Sequence, residues 1–115
     1  MIHIKRVYEP CDEADGYRIL VDRLWPRGLT KEAAQVNSWA KEVAPSTELR
    51  QWFHHDPSQW KEFVKRYKAE LKASHALDAL VEEIKKHKTV TLLYGAKDEQ
   101  NNQAVVLRDL LAARR

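Results

Sequence analysis

Residues 2–7 alternate apolar with polar, Ile2 and Ile4 on one side and His3 and Lys5 on the other, the period-two pattern of a half-buried strand. Residues 8–16 hold Pro10, Gly16 and several acids, a composition that breaks a strand and predicts a surface loop. Residues 17–23 resume as a strand. Their unbroken centre, Ile19-Leu20-Val21, implies cover on both faces and so a central position in a sheet. Pro26 lacks the N–H that a ladder needs, and Gly28 allows a turn denied to other residues, so the chain leaves the sheet there.

Helical periodicity takes over next. Thr30 is placed to cap a short helix over 31–35, and residues 38–41 read as a short extended piece. Ser46 caps a helix whose Leu49, Trp52 and Phe53 share a face. Asp56 as N-cap, Pro57 at the first position and Gln59 at the third open a long helix over 57–72, with Trp60, Phe63, Val64, Tyr67 and Leu71 as its apolar stripe. Ser74 caps another, with Leu77, Leu80, Val81 and Ile84 buried and Lys85, Lys86, His87 and Lys88 at the negative end of its dipole. Residues 89–94 are β-branched and apolar, end at Gly95, and predict the clearest strand. Asn101 or Asn102 caps a last helix with Val106, Leu107, Leu110 and Leu111 inside, before Arg114-Arg115.

Strands separated by helices predict an α/β fold: a small single-domain sandwich over residues 1–115, with a mainly parallel central sheet of three to four strands flanked by helices. The helical stretch between the second and last strands is long enough for a crossover, so those two strands are expected to be parallel.

Composition narrows the function classes. With 115 residues there is room for one core, and no apolar run approaches the about 18 residues of a membrane span. The alternating N-terminus lacks a secretory apolar stretch, and Cys11 alone cannot form an internal disulfide, so a cytoplasmic protein is expected. Asp12 and Glu13 beside Cys11 disfavour a thiolate nucleophile. Twenty basic residues face 17 acidic ones, a net charge of +3, which permits nucleic acid or anionic metabolites and selects neither.

Parallel pairing of the second and last strands would bring two loops to one sheet edge, where open α/β folds place ligands. One loop carries Asp22, Arg23, Trp25 and Arg27; the other, Tyr94-Gly95-Ala96-Lys97-Asp98, leads into the last helix. Arginine's planar fork suits a phosphate or carboxylate, and the free N–H groups of a helix start favour an anion. The expected ligand-binding set is Arg23, Trp25, Arg27, Tyr94 and Lys97, with Asp22 and Asp98 as acid/base candidates if the protein is an enzyme. The structural alternative is that these charges tie the loops down. No Walker or Gly-x-Gly-x-x-Gly motif supports a nucleotide fold, and no cofactor is specified.

His54-His55-Asp56 invites a metal, but adjacent side chains diverge, no further ligand cluster follows, and Asp56 is spent on capping, so no metal is expected. His55 could instead pack as a staple on Trp60. Of the tryptophans, Trp52 and Trp60 fall on helix stripes with Phe63 and Tyr67, which leaves Trp25 and Trp39 as stacking platforms for bases. The lysines at 61, 65, 68 and 72 form the solvated face of one helix.

Four segments together carry a family resemblance: Asp22-Arg23-Leu24-Trp25-Pro26-Arg27-Gly28; Ala44-Pro45-Ser46 followed by Leu49, Arg50, Trp52 and Phe53; His55-Asp56-Pro57; and Leu92-Leu93-Tyr94-Gly95-Ala96-Lys97-Asp98. The chain resembles the YeaO-like group of bacterial domains of unknown function over its whole length. The resemblance implies a small cytoplasmic α/β domain and no established activity, substrate or cofactor. Relatives associated with a cysteine and a Cys-His-Arg element after the last strand differ here, because Tyr94 ends that strand and residues 100–104 contain no cysteine. Their metal or thiol chemistry does not carry over. Three function classes remain: a pocket for an anionic small molecule, with or without turnover; a nucleic-acid-binding or regulatory module using the basic face and Trp25; and a protein-interaction module with no pocket.

Overall fold

The computed structural model describes residues 1–54 and 56–114. Four strands, β1 (Ile2–Arg6), β2 (Tyr17–Leu20), β3 (Ser38–Trp39) and β4 (Val90–Tyr94), form one sheet in the order β1-β4-β2-β3, and every pairing is parallel. The expected α/β class and the parallel pairing of β2 with β4 are both present. Five helices accompany the sheet among the described residues: α1 (Lys31–Ala34), α2 (Thr47–Phe53), α3 (Trp60–Ser74), α4 (Ala76–Ile84) and α5 (Gln103–Ala113).

The two sheet faces differ in their cover. On one, Ile19, Val21, Val90, Leu92 and Tyr94 join the apolar stripes of α2 to α5 in the main core. On the other, Val7, Leu20 and Leu93 meet a smaller cluster built from Ala34, Trp25, Leu29, Val36 and Trp39. Double cover is what allows Ile19-Leu20-Val21 to be wholly apolar, and each of the three is fully buried.

No α-helix makes the crossover from β1 to β2. Residues 7–16 return to the start of β2 with only a 3-10 turn (Glu13–Asp15), and side chains pin them to the sheet. The Asp15 carboxylate takes Lys5 Nζ at 3.1 Å and the Arg18 guanidinium, while its carbonyl accepts from Thr91 Oγ1 at 2.7 Å. Arg18 donates from Nε to the Gln35 carbonyl and from Nη2 to the Ala34 carbonyl, so each nitrogen of this buried guanidinium has a partner. Gly16, at φ +66°, closes the turn where a Cβ would stand 2.3 Å from the Thr89 carbonyl oxygen.

The extended piece expected over 38–41 is a strand only at β3, because a 3-10 turn (Lys41–Val43) takes over after Ala40. Three further boundaries differ from expectation, each for a local reason. β2 is regular only to Leu20; Val21 N–H still reaches Leu93 O at 3.0 Å, and beyond it a side chain replaces the ladder. The helix expected over 57–72 begins as a 3-10 turn (Pro57–Gln59), because Asp56 Oδ1 accepts from Ser58 N–H at 3.0 Å and tightens the start. Ser74 is the last residue of α3 rather than the cap of α4. His75, in the left-handed region at φ 59°, joins the two helices, and Ser74 Oγ accepts from Ala76 N–H. Thr30, Ser46 and Asn102 cap α1, α2 and α5 as their side chains predict.

Candidate functional site at the C-terminal edge of the sheet

A cavity of about 530 Å³ opens where β2 and β4 end. Its residues come from the loop after β2, the 44–45 segment, α2, and the turn and first residues of α5. Parallel pairing of β2 and β4 puts both of their C-terminal loops at this edge, and α2 and α5 close the sides.

Asp22 sits at the junction of the two strands. Its Oδ2 accepts the Gly95 N–H at 2.8 Å, and its Oδ1 accepts from the Gln103 amide. The carboxylate thus takes the rung after Val21, bonding β4's next N–H in place of a backbone carbonyl. Its own backbone carbonyl accepts from Trp39 Nε1 at 2.7 Å, which ties β3 to the same point. Burial pushes the Asp22 carboxyl above its ordinary range; the hydrogen bonds from Gly95 and Gln103 and the charge of Arg50 oppose this only in part.

Arg23 bends toward the 44–45 segment, donating from Nη2 to Ala44 O at 2.9 Å and from Nε to Pro45 O at 3.2 Å. It ties a loop down and also lines the cavity, with Nη1 uncommitted among the described residues. Arg50 of α2 and its C-cap His54, one helical turn apart, join Arg23 in the lining among the described residues. Arg50 forms none of the ion pairs found among the described residues. His54 ends α2 at φ 50°, a left-handed cap whose N–H bonds Arg50 O at 3.0 Å. Leu24, Pro45, Phe53 and Phe63 make the apolar walls.

The other residues expected at the rim do not line the cavity among the described residues. Trp25 turns to the second face, where its Nε1 donates to Leu29 O at 2.7 Å and its ring meets Trp39 edge-on at 5.5 Å. Arg27 is exposed and offers its backbone carbonyl to Tyr8 Oη at 3.0 Å. Tyr94 is 2% exposed in the main core, its hydroxyl pushed up by burial and by the charges of Glu99 and Glu9. Lys97 is exposed beside the cavity residue Ala96. Asp98 organises its own loop, accepting from the N–H groups of Gln100 and Asn101 at 2.9 and 3.0 Å. Among the described residues no group of three or more His, Cys, Asp or Glu side chains could hold a metal; His55, with its metal and staple readings, lies outside them.

Arg50, His54 and Gln103 are site residues that sequence reasoning missed. Arg50 and His54 share a flank of a helix whose apolar stripe is legible, but which way that flank points depends on how α2 docks on the sheet. Gln103 is the residue after the Asn102 cap, and its partner Asp22 is distant in sequence.

Comparison with known proteins places these observations in a family. The chain is 46% identical over 110 residues to the uncharacterized protein YeaO of Escherichia coli K12, covering 96% of each chain. It is 42% identical over 113 residues to the uncharacterized protein Rv3073c of Mycobacterium tuberculosis H37Rv, covering 98% of this chain and 95% of the relative. No solved structure matches it. A family model described as the inactive DUF488-N3 subclade matches residues 1–115, and the chain belongs to that family.

Proposed function

We propose that the protein binds a small molecule bearing a phosphate or carboxylate group in the cavity at the C-terminal edge of its sheet. One observation carries this reading: Arg50, free of any ion pair among the described residues, lines a cavity of about 530 Å³ together with Arg23 and His54. A guanidinium with an uncommitted planar fork is the side chain best suited to hold an oxyanion through two hydrogen bonds. The volume lies within the range of small-molecule sites, about 300–1,000 Å³. Arg27 and Lys97, exposed at the same end of the sheet, add positive charge that favours approach of an anion. The family description, an inactive subclade, supports binding without turnover. A cytoplasmic site of action belongs to the same reading and is supported by the free, exposed Cys11; cell fractionation tests it.

The test is thermal stabilisation by inorganic phosphate, citrate and nucleoside monophosphates, since a ligand of the folded state raises apparent stability by mass action. At least one is expected to stabilise the parent and to lose that effect in Arg50→Gln. Stabilisation by none of them, or equal stabilisation of Arg50→Gln, sinks the proposal. The alternative, nucleic-acid binding through the basic surface and Trp25, would show a steep loss of affinity with salt and indifference to Arg50.

A further inference from the structure

Cationic and acceptor groups both line the cavity. Asp22 is the one acidic side chain of the lining among the described residues, and two hydrogen bonds hold it: the Gly95 N–H and the Gln103 amide each bond one of its oxygens. Each oxygen keeps a second lone pair, and Gln103, donating its amide NH2 to Asp22, keeps its carbonyl oxygen as a further acceptor. The floor is therefore an acceptor surface. Arg50, on α2, is the counter-charge facing it, and its field reaches Asp22. Leu24, Pro45, Phe53 and Phe63 complete the lining with apolar surface.

A bare oxyanion satisfies only half of this arrangement. Drawn to Arg50, it meets the Asp22 carboxylate as a like charge, leaves the floor acceptors unused and leaves the apolar walls without contact. A ligand that brings its own N–H donor removes the repulsion and adds a charge-assisted hydrogen bond. We propose that the cavity takes an amphoteric ligand: a compact molecule whose planar or apolar body carries an N–H donor for the Asp22–Gln103 floor and an anionic group for Arg50. The proposal rests on the anion-binding reading above and narrows its ligand class.

Matched probes test it by isothermal titration calorimetry. L-phenylalanine is paired with 3-phenylpropionate, which lacks only the amine. Adenosine 5′-monophosphate is paired with purine riboside 5′-monophosphate, which lacks only the exocyclic amine. In at least one pair the donor-bearing member is expected to bind about tenfold tighter or more, the worth of one hydrogen bond to a charged group. Asp22→Asn should erase that difference, and Arg50→Gln should weaken both members. If circular dichroism shows Asp22→Asn unfolded, Gln103→Leu serves in its place, removing the neighbouring acceptor and the group that orients the carboxylate. Equal, Arg50-dependent binding of both members in both pairs overturns the donor proposal and leaves the anion site standing. Binding of no member overturns the donor proposal, and the anion site then stands or falls with the stabilisation by phosphate and citrate.

Discussion

Gly95 N–H lies 2.8 Å from Asp22 Oδ2, and a Cβ on Gly95 would stand 2.9 Å from that same oxygen. Glycine at this position is therefore a requirement of the carboxylate rather than of the backbone turn. Gly95→Ala is expected to cost about 1–3 kcal/mol by overpacking and to push Asp22 off its hydrogen bonds. Denaturant melts measure the first effect. An amide-proton shift of residue 95 that matches the parent would contradict the second.

Asp15, which is buried, and Asp22, which is half-buried, respond to pH in opposite senses. Burial acts most strongly on both and raises their pKa values; for Asp22 it prevails, whereas for Asp15 the hydrogen bonds from Asp12 N–H, Lys5 and Arg18 together outweigh it and leave the net value lowered. The folded-state Asp22 binds its proton more readily than the unfolded chain does, so this group's contribution falls as pH rises from 3.8 through its raised pKa. Asp15 contributes stability above 3.8 that disappears as pH drops through its lowered pKa. Relative to its Asn variant, the parent should gain from acidification at Asp22 and lose from it at Asp15. Urea midpoints from neutral to acid pH for both variants check the signs.

Tyr67 is fully buried and donates its hydroxyl to the Val43 carbonyl, holding the 3-10 turn (Lys41–Val43) on α3. Burial pushes the phenol's pKa well above its ordinary value, which favours the neutral donor form. Tyr67→Phe leaves the carbonyl unpaired and is expected to cost about 1–3 kcal/mol. Because Arg23 docks on Ala44 and Pro45 just beyond that turn, the same variant should also loosen the cavity wall. Hydrogen exchange confined to wild-type rates over residues 43–46 would count against that coupling.

His54 pays a conformational penalty at φ 50° that glycine would not. His54→Gly is expected to leave stability unchanged or raise it by up to about 1 kcal/mol, while weakening any ligand that reaches the imidazole. A thermal melt with and without the best probe separates the two effects. A clear loss of stability would mean that the ring makes packing contacts that outweigh its backbone strain.

Sequence periodicity determined the elements and their order: the apolar centre at 19–21, the β-branched run before Gly95, and caps at Thr30, Ser46 and Asn102 are local signals with local causes. The parallel pairing of β2 with β4 was also legible, because the length of the intervening helical stretch and the apolar runs of both strands constrain it. The composition of the cavity was not. Whether Trp25 faces a rim or a core depends on which face the 25–37 segment covers, and its indole is spent on Leu29. Arg23 reads as free charge in the sequence, yet its partners are backbone carbonyls that leave no trace in residue identity. Arg50 became a site residue through the docking angle of α2, and Gln103 through a contact with Asp22 across the chain. Side-chain direction and long-range hydrogen bonds are properties of packed elements, so only the tertiary structure decided them.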